Sequence, residues 1–330
     1  MRHFCTLFDR NYIARGLALH RSLVRHCGDF MLHVLCLDAP TLHVLRALAL
    51  PRTELITVET LEHGDHDLRG ARSDRTPLEF YFTCKPVLLG YILDRNADVS
   101  RLEYLDADLY FFSDPSAAEE EYAGSAVALS PHRFNTLNAG LARHGRFNAG
   151  WISVSRDREG RRFVGWWRDC CMEWCRLAIE DTRFGDQKYL DQVPALFPRT
   201  VAVTHPGVNL APWNIGGYRI DLSERGVEIE GRALVFFHFH GTKRMLFNLY
   251  ESGLHDYGAR LTSAITCGIY RPYATELAVC SRQLSRLPAA LRMQLDAGRV
   301  APNMLDLARQ LVSTVRAIAR NTTVVANGKR

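Results

Sequence analysis

Long apolar segments are missing from this chain of 330 residues. No run of about 18 consecutive apolar residues occurs, so we expect no transmembrane helix. The N-terminus has no charged segment followed by a long apolar one, which predicts that no signal peptide is present. Internal repeats and low-complexity tracts are absent as well. With 47% hydrophobic and 23% charged residues, the composition is typical of a globular protein with a sizeable core, and we expect a cytoplasmic location.

A disulfide framework is also missing. The nine cysteines are an odd number, and several lie in apolar runs, where a free thiol packs as a small hydrophobic group. This distribution favours a reducing compartment. Cys170, Cys171 and Cys175 are close enough in sequence to suggest zinc, but no second Cys-x-x-Cys or paired histidine follows at ligand spacing. We therefore favour helix packing for these three cysteines.

The net charge of +5 is modest but unevenly distributed, because residues 257–330 contain eleven lysines and arginines against three acids. Residues 302–320, from Pro302 to Arg320, predict an amphipathic helix with arginines along one flank. Such a helix can lie on an anionic membrane surface, which would put the protein at the inner face of the membrane. Packing on the rest of the chain, or on a second subunit of a homo-oligomer, is the favoured alternative. Nucleic-acid binding is disfavoured because aromatic side chains do not accompany the basic residues.

Strand and helix patterns alternate through the first part of the chain. Strands are predicted at 3–8, 31–37, 54–58 and 101–105, and helices at 12–25, 41–50 and 83–93. Residues 62–76 are polar and predict a mobile loop. This order predicts an α/β fold with a mainly parallel sheet flanked by helices.

The second half continues with shorter elements. Strands are predicted at 126–129, 151–154 and 233–239, a loop at 135–146, and helices at 163–179 and 186–192. Beyond residue 257 the pattern is helical and basic. We therefore predict a catalytic domain over residues 1–256 and a helical C-terminal extension over residues 257–330.

The segment Asp106-Ala107-Asp108 follows the predicted strand 101–105. Residues two apart on a strand point to the same side, so both carboxylates are expected to project together if strand geometry persists through Ala107. Open α/β sheets bind ligands at the carboxyl ends of their strands. Two carboxylates there are natural ligands for a hard divalent cation such as Mn²⁺ or Mg²⁺.

A second strand ends in His238-Phe239-His240-Gly241, and the next cations are Lys243 and Arg244. Either histidine suits the third position of a metal site, and the alternative for His238 is a hydrogen-bonded core residue. Glycine permits close approach of the backbone to a phosphate. The two cations that follow favour a binding role over a structural one.

Three further features are weaker when each is taken alone. Lys85 is predicted in the first turn of an apolar helix, where its charge opposes the helix dipole. A bound diphosphate would justify a cation there, and the alternative is that the side chain snorkels to solvent. Asn148 precedes small residues at a strand entrance, which is also typical of an ordinary turn. Asp186 and Gln187 open a helix, where Asp186 is equally suited to be a cap, although acid–amide pairs also suit sugar hydroxyls.

Taken together in this order, these motifs resemble a GT-A glycosyltransferase, closest to glycosyltransferase family 8, over about residues 3–248. The resemblance implies a GT-A, Rossmann-like fold with a C-terminal helical extension. It implies metal-dependent transfer of a sugar from a nucleotide-diphosphate donor, a UDP-sugar, to a hydroxyl of a saccharide or glycoconjugate acceptor, with retention of configuration. It also implies that Mn²⁺ or Mg²⁺ is the cofactor.

The same resemblance implies roles for individual residues. Nucleotide contacts fall to Leu7, Phe8, Asp9 and Tyr12. Metal ligands are Asp106, Asp108 and His238, and Asp106 also lies near the ribose and donor sugar. The diphosphate and donor sugar are contacted by Lys85, Asn148 and Gly241, and the residues beside the anomeric carbon are Asp186 and Gln187.

The chain departs from the family pattern at one position. The family usually has a lysine three residues after the glycine that corresponds to Gly241, whereas this chain has Arg244 there, preceded by Lys243. Either cation can hold the leaving phosphate, although arginine and lysine are not interchangeable. The segment 205–214 suits contact with a sugar or serves as an ordered loop.

Two other functions remain alternatives. A sugar nucleotidylyltransferase shares the sheet-and-metal arrangement, but the loop from Leu7 to Asn11 has no glycine, which argues against it. A nucleotide-sugar-binding protein without turnover is the non-catalytic alternative.

Overall fold

The computed structural model describes residues 1–297 and 303–326, and a mixed seven-stranded sheet organises them. The strands, in chain order, are β1 (Arg2–Phe8), β2 (Phe30–Cys36), β3 (Thr53–Thr57), β4 (Arg101–Leu105), β5 (Leu109–Phe111), β6 (Val127–Pro131), β7 (Phe147–Ser155), β8 (Thr200–Ala202), β9 (Ile220–Ser223), β10 (Gly226–Ile229), β11 (Arg232–Ala233), β12 (Phe236–His238), β13 (Lys243–Arg244), β14 (Leu249–Glu251) and β15 (Thr323–Val325). The helices are α1 (Ile13–His26), α2 (Ala39–Leu48), α3 (Val58–Gly64), α4 (His66–Ser73), α5 (Pro77–Arg95), α6 (Ser116–Glu119), α7 (Arg158–Glu173), α8 (Val193–Leu196), α9 (Ser263–Ile265), α10 (Arg271–Ser285), α11 (Ala289–Asp296) and α12 (Met304–Ala319).

The strand order of the central sheet is β3-β2-β1-β4-β7-β6-β8. The first four strands run parallel, β7 is antiparallel to both of its neighbours, and β6 is parallel to β8. Strands β1 and β2 are almost continuously buried, as expected for strands covered on both faces. The predicted α/β class with a mainly parallel sheet is therefore confirmed.

Apolar side chains form one core on each face of this sheet. Phe4 joins the core beside α1, α2 and α10, whereas the next residue, Cys5, joins the core beside α5 and α7. This alternation follows from strand geometry, in which successive side chains point to opposite faces. The two cores hold the carboxyl ends of β1 and β4 in fixed positions.

The predicted loop at 62–76 is wrong, because this segment includes the end of α3 and the whole of α4. Leu61, Leu68 and Ala71 are buried against the core. The junction between the two helices is held by the Arg168 guanidinium, whose Nε and Nη2 donate to the two carboxylate oxygens of Asp65 at 2.5 and 2.6 Å. A partner 103 residues away thus orders a segment that is polar in sequence.

Several predicted boundaries also move. Helix α5 begins at Pro77 because Thr76 and Glu79 form a capping box, and α7 begins at Arg158 because the Asp157 carboxylate caps it. Helix α7 ends at Glu173, so the prediction of a helix to residue 179 is wrong. The predicted strand 233–239 is split into β11 and β12, and the predicted helix 186–192 is a 3₁₀ turn (Lys188–Gln192) followed by α8. The predicted loop at 135–146 contains the 3₁₀ segment Thr136–His144.

Helix α10 packs on α1 and closes one side of the fold. The Tyr273 ring stacks on Phe239 with centroids 3.7 Å apart, and the Glu276 carboxylate forms ion pairs with Arg21 and Arg25. Strand β15 pairs with β14. The described residues beyond 257 therefore share a core with the first part of the chain, and the boundary at residue 256 stays a prediction.

Helix α12 exposes most of its apolar side chains. Only Thr314 and Ala317 are buried in it, and Leu305 is 68% and Val315 55% exposed. Thr314 and Ala317 are buried where α12 meets the segment Leu246–Asn248, so one side of the helix packs on the rest of the chain, and both predicted alternatives for its exposed face stay predictions. Pro302 and residues 327–330, which belong to the predicted basic extension, lie outside the described residues.

Among the described residues, no helix is both long enough and apolar enough to cross a membrane. All nine cysteines are free, and Cys171 and Cys175 are buried side chains of the core. In the same part of the chain, Asp106, Asp108 and His238 form a group with the spacing of metal ligands, and the cysteines form no such group. Cys171 and Cys175 therefore pack in the core, as the favoured interpretation predicted for them.

Candidate active site

A cavity of about 760 Å³ opens at the carboxyl ends of β1 and β4. The residues predicted from the sequence that line it are Leu7, Phe8, Asp9, Tyr12, Lys85, Asp106, Asp108, Asn148, Asp186, Gln187 and His238. Gly241, Lys243 and Arg244 do not line this cavity. The structure thus brings eleven of the fourteen predicted residues together, and their functional roles remain proposals.

The two aspartates lie in a turn, because β4 ends at Leu105 and β5 begins at Leu109. The prediction that strand geometry persists through Ala107 is therefore wrong, and the turn, not a strand, sets the direction of the two carboxylates. The Asp106 amide donates to Gly150 O at 2.8 Å, and the Leu109 amide donates to Asp106 O at 3.1 Å. These two bonds fix the turn and direct both carboxylates into the cavity.

Antiparallel pairing of β5 with β12 brings His238 to this turn. His238 pairs with Leu109 in the ladder, and the Phe239 amide donates to Asp108 O at 2.9 Å. The His238 side chain is 3% exposed, whereas His240 follows the end of β12 and is exposed. Of the two candidate histidines, His238 is the one grouped with the carboxylates.

The donor atoms of Asp106, Asp108 and His238 lie within 4.8 Å of one another. His238 Nε2 is 3.2 Å from Asp108 Oδ1 and 3.8 Å from Asp106 Oδ2. Adjacent ligands of an octahedral cation with bonds of about 2.1 Å are about 3 Å apart, so this spacing needs little adjustment. Two carboxylate oxygens and an imidazole nitrogen also match the donor preferences of Mn²⁺ and Mg²⁺. The residues present therefore fit a divalent cation.

Charges in this group are strongly coupled. Burial opposes ionisation of the Asp108 carboxyl, but the charge and hydrogen bond of His238 outweigh burial and lower the pKa of Asp108. Burial favours the neutral imidazole, but Asp108 outweighs this effect and raises the pKa of His238. Asp108 and His238 therefore each favour the charged form of the other, next to the second carboxylate of Asp106.

Lys85 lies in the middle of α5, not in its first turn, because the helix begins at Pro77. Its Nζ is 3.2 Å from Asp106 Oδ1 and 3.2 Å from Asp186 Oδ2, and it donates to Ala149 O at 3.3 Å. The residue is 4% exposed, so the snorkelling alternative is wrong. Burial lowers the pKa of Lys85, but the two carboxylates outweigh burial and raise it above its ordinary value.

Asp186 is not a helix cap. No side-chain cap is formed at the start of the 3₁₀ turn Lys188–Gln192, and the Asp186 carboxylate pairs with Lys85. Asp186 is 3% exposed, and burial raises the pKa of this carboxyl. Its contact with a cation, not with a helix terminus, explains an acid at this position.

Two amide side chains, Asn148 and Gln187, line the same cavity. Gln187 Oε1 accepts hydrogen bonds from the Ala149 amide at 3.2 Å and from Asn148 Nδ2 at 3.3 Å, and Gln187 Nε2 donates to His144 O at 3.1 Å. Asn148 Oδ1 accepts from the Gly150 amide at 3.0 Å and from Asn209 Nδ2 at 3.3 Å. Asn148 lies within β7, so the alternative of an ordinary turn is wrong. These bonds fix both amide groups in orientation.

Gly150 is a site residue that the sequence reasoning missed. A Cβ on this glycine would lie 2.5 Å from His238 Cε1, 2.7 Å from Asn148 Oδ1 and 2.9 Å from Asp106 Oδ2. Real Cβ atoms do not approach other atoms this closely. The signal for it is visible only in three dimensions, since His238 is 88 positions away.

Aromatic rings form the remaining wall. His132 stacks on Phe134 with centroids 4.6 Å apart, and Trp213 lies edge-on to His238 at 5.2 Å. Burial lowers the pKa of His132 to about 3, so this ring is neutral. The aromatic and amide content of segment 205–214 indicated Trp213 in the sequence. No sequence feature singled out His132 or Phe134.

No family model matches. The chain is 32% identical to YfnF of Bacillus subtilis strain 168 over 256 residues, which are 74% of this chain and 83% of YfnF. It is 33% identical to YfnD of the same organism over 242 residues, 72% of this chain and 77% of YfnD. Both of these relatives are named as uncharacterized proteins.

Among solved structures, galactosyltransferase LgtC in complex with donor and acceptor sugar analogues is similar, with a TM-score of 0.54 at 15% identity. An active-site mutant of LgtC gives a TM-score of 0.55 at 14% identity. Each match covers 88% of this chain and 99% of LgtC. At 14–15% identity, these matches show a shared fold. The chain belongs to the family of YfnF and YfnD and has the GT-A fold of glycosyltransferases that resemble family 8.

Proposed function

We propose that this protein is a metal-dependent glycosyltransferase that moves a sugar from a UDP-sugar to a hydroxyl of a saccharide or glycoconjugate. The observation that carries the proposal is the convergence of Asp106, Asp108 and His238 beside the buried Lys85, at the carboxyl edge of a GT-A sheet. Buried cations and metal-binding carboxylates together are suited to a diphosphate. The complex of LgtC with donor and acceptor sugar analogues supports the same two substrate classes.

The nucleotide would bind at the end of β1. Leu7, Phe8 and Asp9 line the cavity there, and Tyr12 offers a ring that is 43% exposed. An exposed aromatic face is suited to stacking on a base. The residues that would hold Mn²⁺ or Mg²⁺ are Asp106, Asp108 and His238, and such a cation supplies Lewis-acid stabilisation of diphosphate charge.

Lys85 would stabilise the same charge as the sugar–phosphate bond breaks. Its ammonium is fixed by Asp106 and Asp186 before substrate arrives, so little reorganisation is needed when negative charge grows on the leaving group. A buried cation in a site of low dielectric acts more strongly than one in water. Lys85 is therefore expected to matter more for turnover than for nucleotide affinity.

Retention of configuration is proposed to follow from attack on the face that the diphosphate leaves. The Asp186 carboxylate is held by Lys85, and Gln187 Oε1 already accepts two hydrogen bonds, so neither is poised as a nucleophile. The acceptor oxygen forms the new glycosidic bond as the sugar–phosphate bond breaks. The hydroxyl proton passes to the leaving diphosphate oxygen. Asn148 and Gln187 would orient the sugar hydroxyls.

Thermal-shift measurements with UDP-, GDP- and dTDP-sugars, each with Mn²⁺, test the donor class, because a bound ligand raises the apparent stability. Metal-dependent hydrolysis of the stabilising nucleotide sugar then separates an enzyme from a binding protein without turnover. Asp108→Asn should abolish metal-dependent hydrolysis while the fold is retained. The matched control is Asp221→Asn, an exposed position in β9. Full hydrolysis by Asp108→Asn in metal-free buffer would contradict the proposal.

A nucleotidylyltransferase would be identified in the same assay by pyrophosphate-dependent release of nucleoside triphosphate from the nucleotide sugar. The segment from Leu7 to Asn11, at the end of β1, has no glycine and therefore no glycine-rich phosphate loop. Its absence favours the glycosyltransferase.

Helix α12 supports the predicted contact with the inner face of the membrane. Leu311, Val312 and Val315 are each about half exposed, and the neighbouring Arg309 side chain is 80% exposed. An apolar face flanked by arginines matches an anionic lipid surface. Flotation with phosphatidylserine vesicles should be lost in Leu311→Gln/Val315→Gln. Unchanged flotation of this variant would contradict the membrane contact, and a dimer lost in the variant would assign the face to a second copy.

A further inference from the structure

A second cavity of about 600 Å³ lies beside the candidate active site. It is lined by residues of α1, α10 and α11 and by the segment around β13 and β14. Asn11 lines both cavities. The Arg15 guanidinium faces the second cavity and lies 4.5 Å from the centre of the Tyr12 ring, which lines the first. The two cavities are thus separated by one pair of stacked side chains.

The second cavity is strongly cationic. Arg10, Arg15, Arg244 and Arg292 line it, and among the described residues that line it Asp296 is the only acid. Arg10 is already paired with Asp38 at 2.7 Å. Within residues 1–297 and 303–326, no carboxylate lies within ion-pair distance of the other three arginines. Uncompensated guanidinium groups around one space favour an anionic occupant.

Two buried hydroxyls point to the same kind of occupant. Thr242 and Tyr250 are each 3% exposed and line the cavity, yet their hydroxyls have no hydrogen-bond partner in the described part of the chain. Arg15 Nε is also buried without a partner there. Leaving such a group unsatisfied is unfavourable, so groups of this kind usually meet a ligand or water. Hydroxyls and guanidinium groups can all donate hydrogen bonds, so the complementary ligand is rich in acceptors.

We propose that this cavity binds the phosphate group of a second ligand, next to the nucleotide-sugar site. A phosphate has several acceptor oxygens on one centre and can accept from two arginines and a hydroxyl at once. Arginine forks match phosphate oxygens in pairs, so the arginines around this space are suited to a phosphate. Asn11, which lines both cavities, puts this phosphate beside the donor, as required of a phosphorylated acceptor or effector.

Calorimetric titration of the full chain with inorganic phosphate, in the presence of saturating UDP and Mg²⁺, tests the proposal. We expect binding to the wild type and at least about tenfold weaker binding to Arg292→Ala, because a charge-assisted hydrogen bond is lost. Tyr250→Phe keeps the ring and removes only the hydroxyl, so it should weaken binding several-fold. The matched control is Arg286→Ala, an exposed arginine that does not line the cavity.

Three results would overturn the proposal. These are no binding of phosphate with or without UDP, equal affinity of Arg292→Ala and wild type, and binding of phosphate only in the absence of UDP, which would assign the cavity to the donor diphosphate. A hexose 1-phosphate that binds more tightly than inorganic phosphate would support a phosphorylated sugar as the source. Equal affinities would support a free phosphate. UDP affinity measured on the same samples distinguishes failure of this site from failure of the donor site.

Discussion

Replacing Lys85 by methionine tests the electrostatic core of the site. Methionine retains the length and apolar character of the stem but removes the charge. The Asp186 carboxylate, 3% exposed and 3.2 Å from Lys85 Nζ, would then be buried without its cation. Removing one partner of a buried ion pair typically costs about 3–5 kcal/mol, and we expect a loss of unfolding free energy in this range at pH 7.5.

A second substitution separates the lost charge from lost packing. Asp186→Asn removes the carboxylate that Lys85→Met leaves unpaired, so the double variant should be more stable than Lys85→Met alone by about 1–2 kcal/mol. Burial already raises the pKa of Asp186, and loss of the Lys85 charge raises it further. The folded state of Lys85→Met then binds a proton that the unfolded state releases near its ordinary pKa. Its stability deficit should therefore shrink as the pH falls from 7.5 to 5.5.

Urea unfolding of the four proteins at both pH values provides these free energies. Lys188→Met is the control, because Lys188 Nζ donates to Glu180 O at an exposed position and its loss should change stability by less than about 0.5 kcal/mol. Turnover of Lys85→Met should fall more than its affinity for UDP. A Lys85→Met protein within 1 kcal/mol of wild type, or one whose deficit does not depend on Asp186, would refute the reasoning.

Two further predictions concern a glycine and a histidine. Gly150→Ala should abolish Mn²⁺ binding, measured by calorimetry, because its Cβ would displace His238 and Asp106. Gly165→Ala, where a Cβ meets nothing within 4 Å, should bind Mn²⁺ normally; loss of binding in both variants, or in neither, would contradict this explanation. Burial lowers the pKa of His205 to about 4, whereas the unfolded residue titrates near its ordinary value. Below about pH 6.5 the unfolded state therefore binds more protons, and wild type should lose about 2 kcal/mol through His205 between pH 7 and pH 5. His205→Asn, whose Oδ1 can accept the bond that Nδ1 accepts from the Gly207 amide at 3.0 Å, should not lose this amount, and urea midpoints with equal pH dependence would exclude the effect.

The central sheet was predictable because its strands are apolar runs bounded by turn residues. The predicted strand 101–105 coincides with β4, and the strand–helix alternation that precedes it predicted the parallel arrangement. The start of α5 was missed, because the helix was predicted from residue 83 although Thr76, Pro77 and Glu79 are the sequence signature of a capping box. Local signals of this kind do not depend on the rest of the chain.

Features that depend on distant contacts were not predictable in the same way. Segment 62–76 is polar by composition, and its helices are fixed by Arg168, more than 100 positions away. Lys85 is an ordinary helical lysine until the fold places it between two carboxylates. Gly150 is constrained by a histidine from another sheet. Each of these features is set by tertiary packing, and a single sequence contains no record of which distant residue will be the neighbour.

The charges of the site, taken together, favour a divalent cation independently of any motif. Asp106, Asp108 and Asp186 carry three negative charges when ionised, whereas Lys85 supplies one positive charge and His238 a second only if it is protonated. A metal-binding histidine must be neutral, because its Nε2 lone pair is the ligand. With His238 neutral, the described residues leave an excess of two negative charges in a largely buried pocket, which is unfavourable unless it is compensated. A dication is the smallest group that cancels this excess, and it leaves the diphosphate of a donor to interact with a site that no longer repels it.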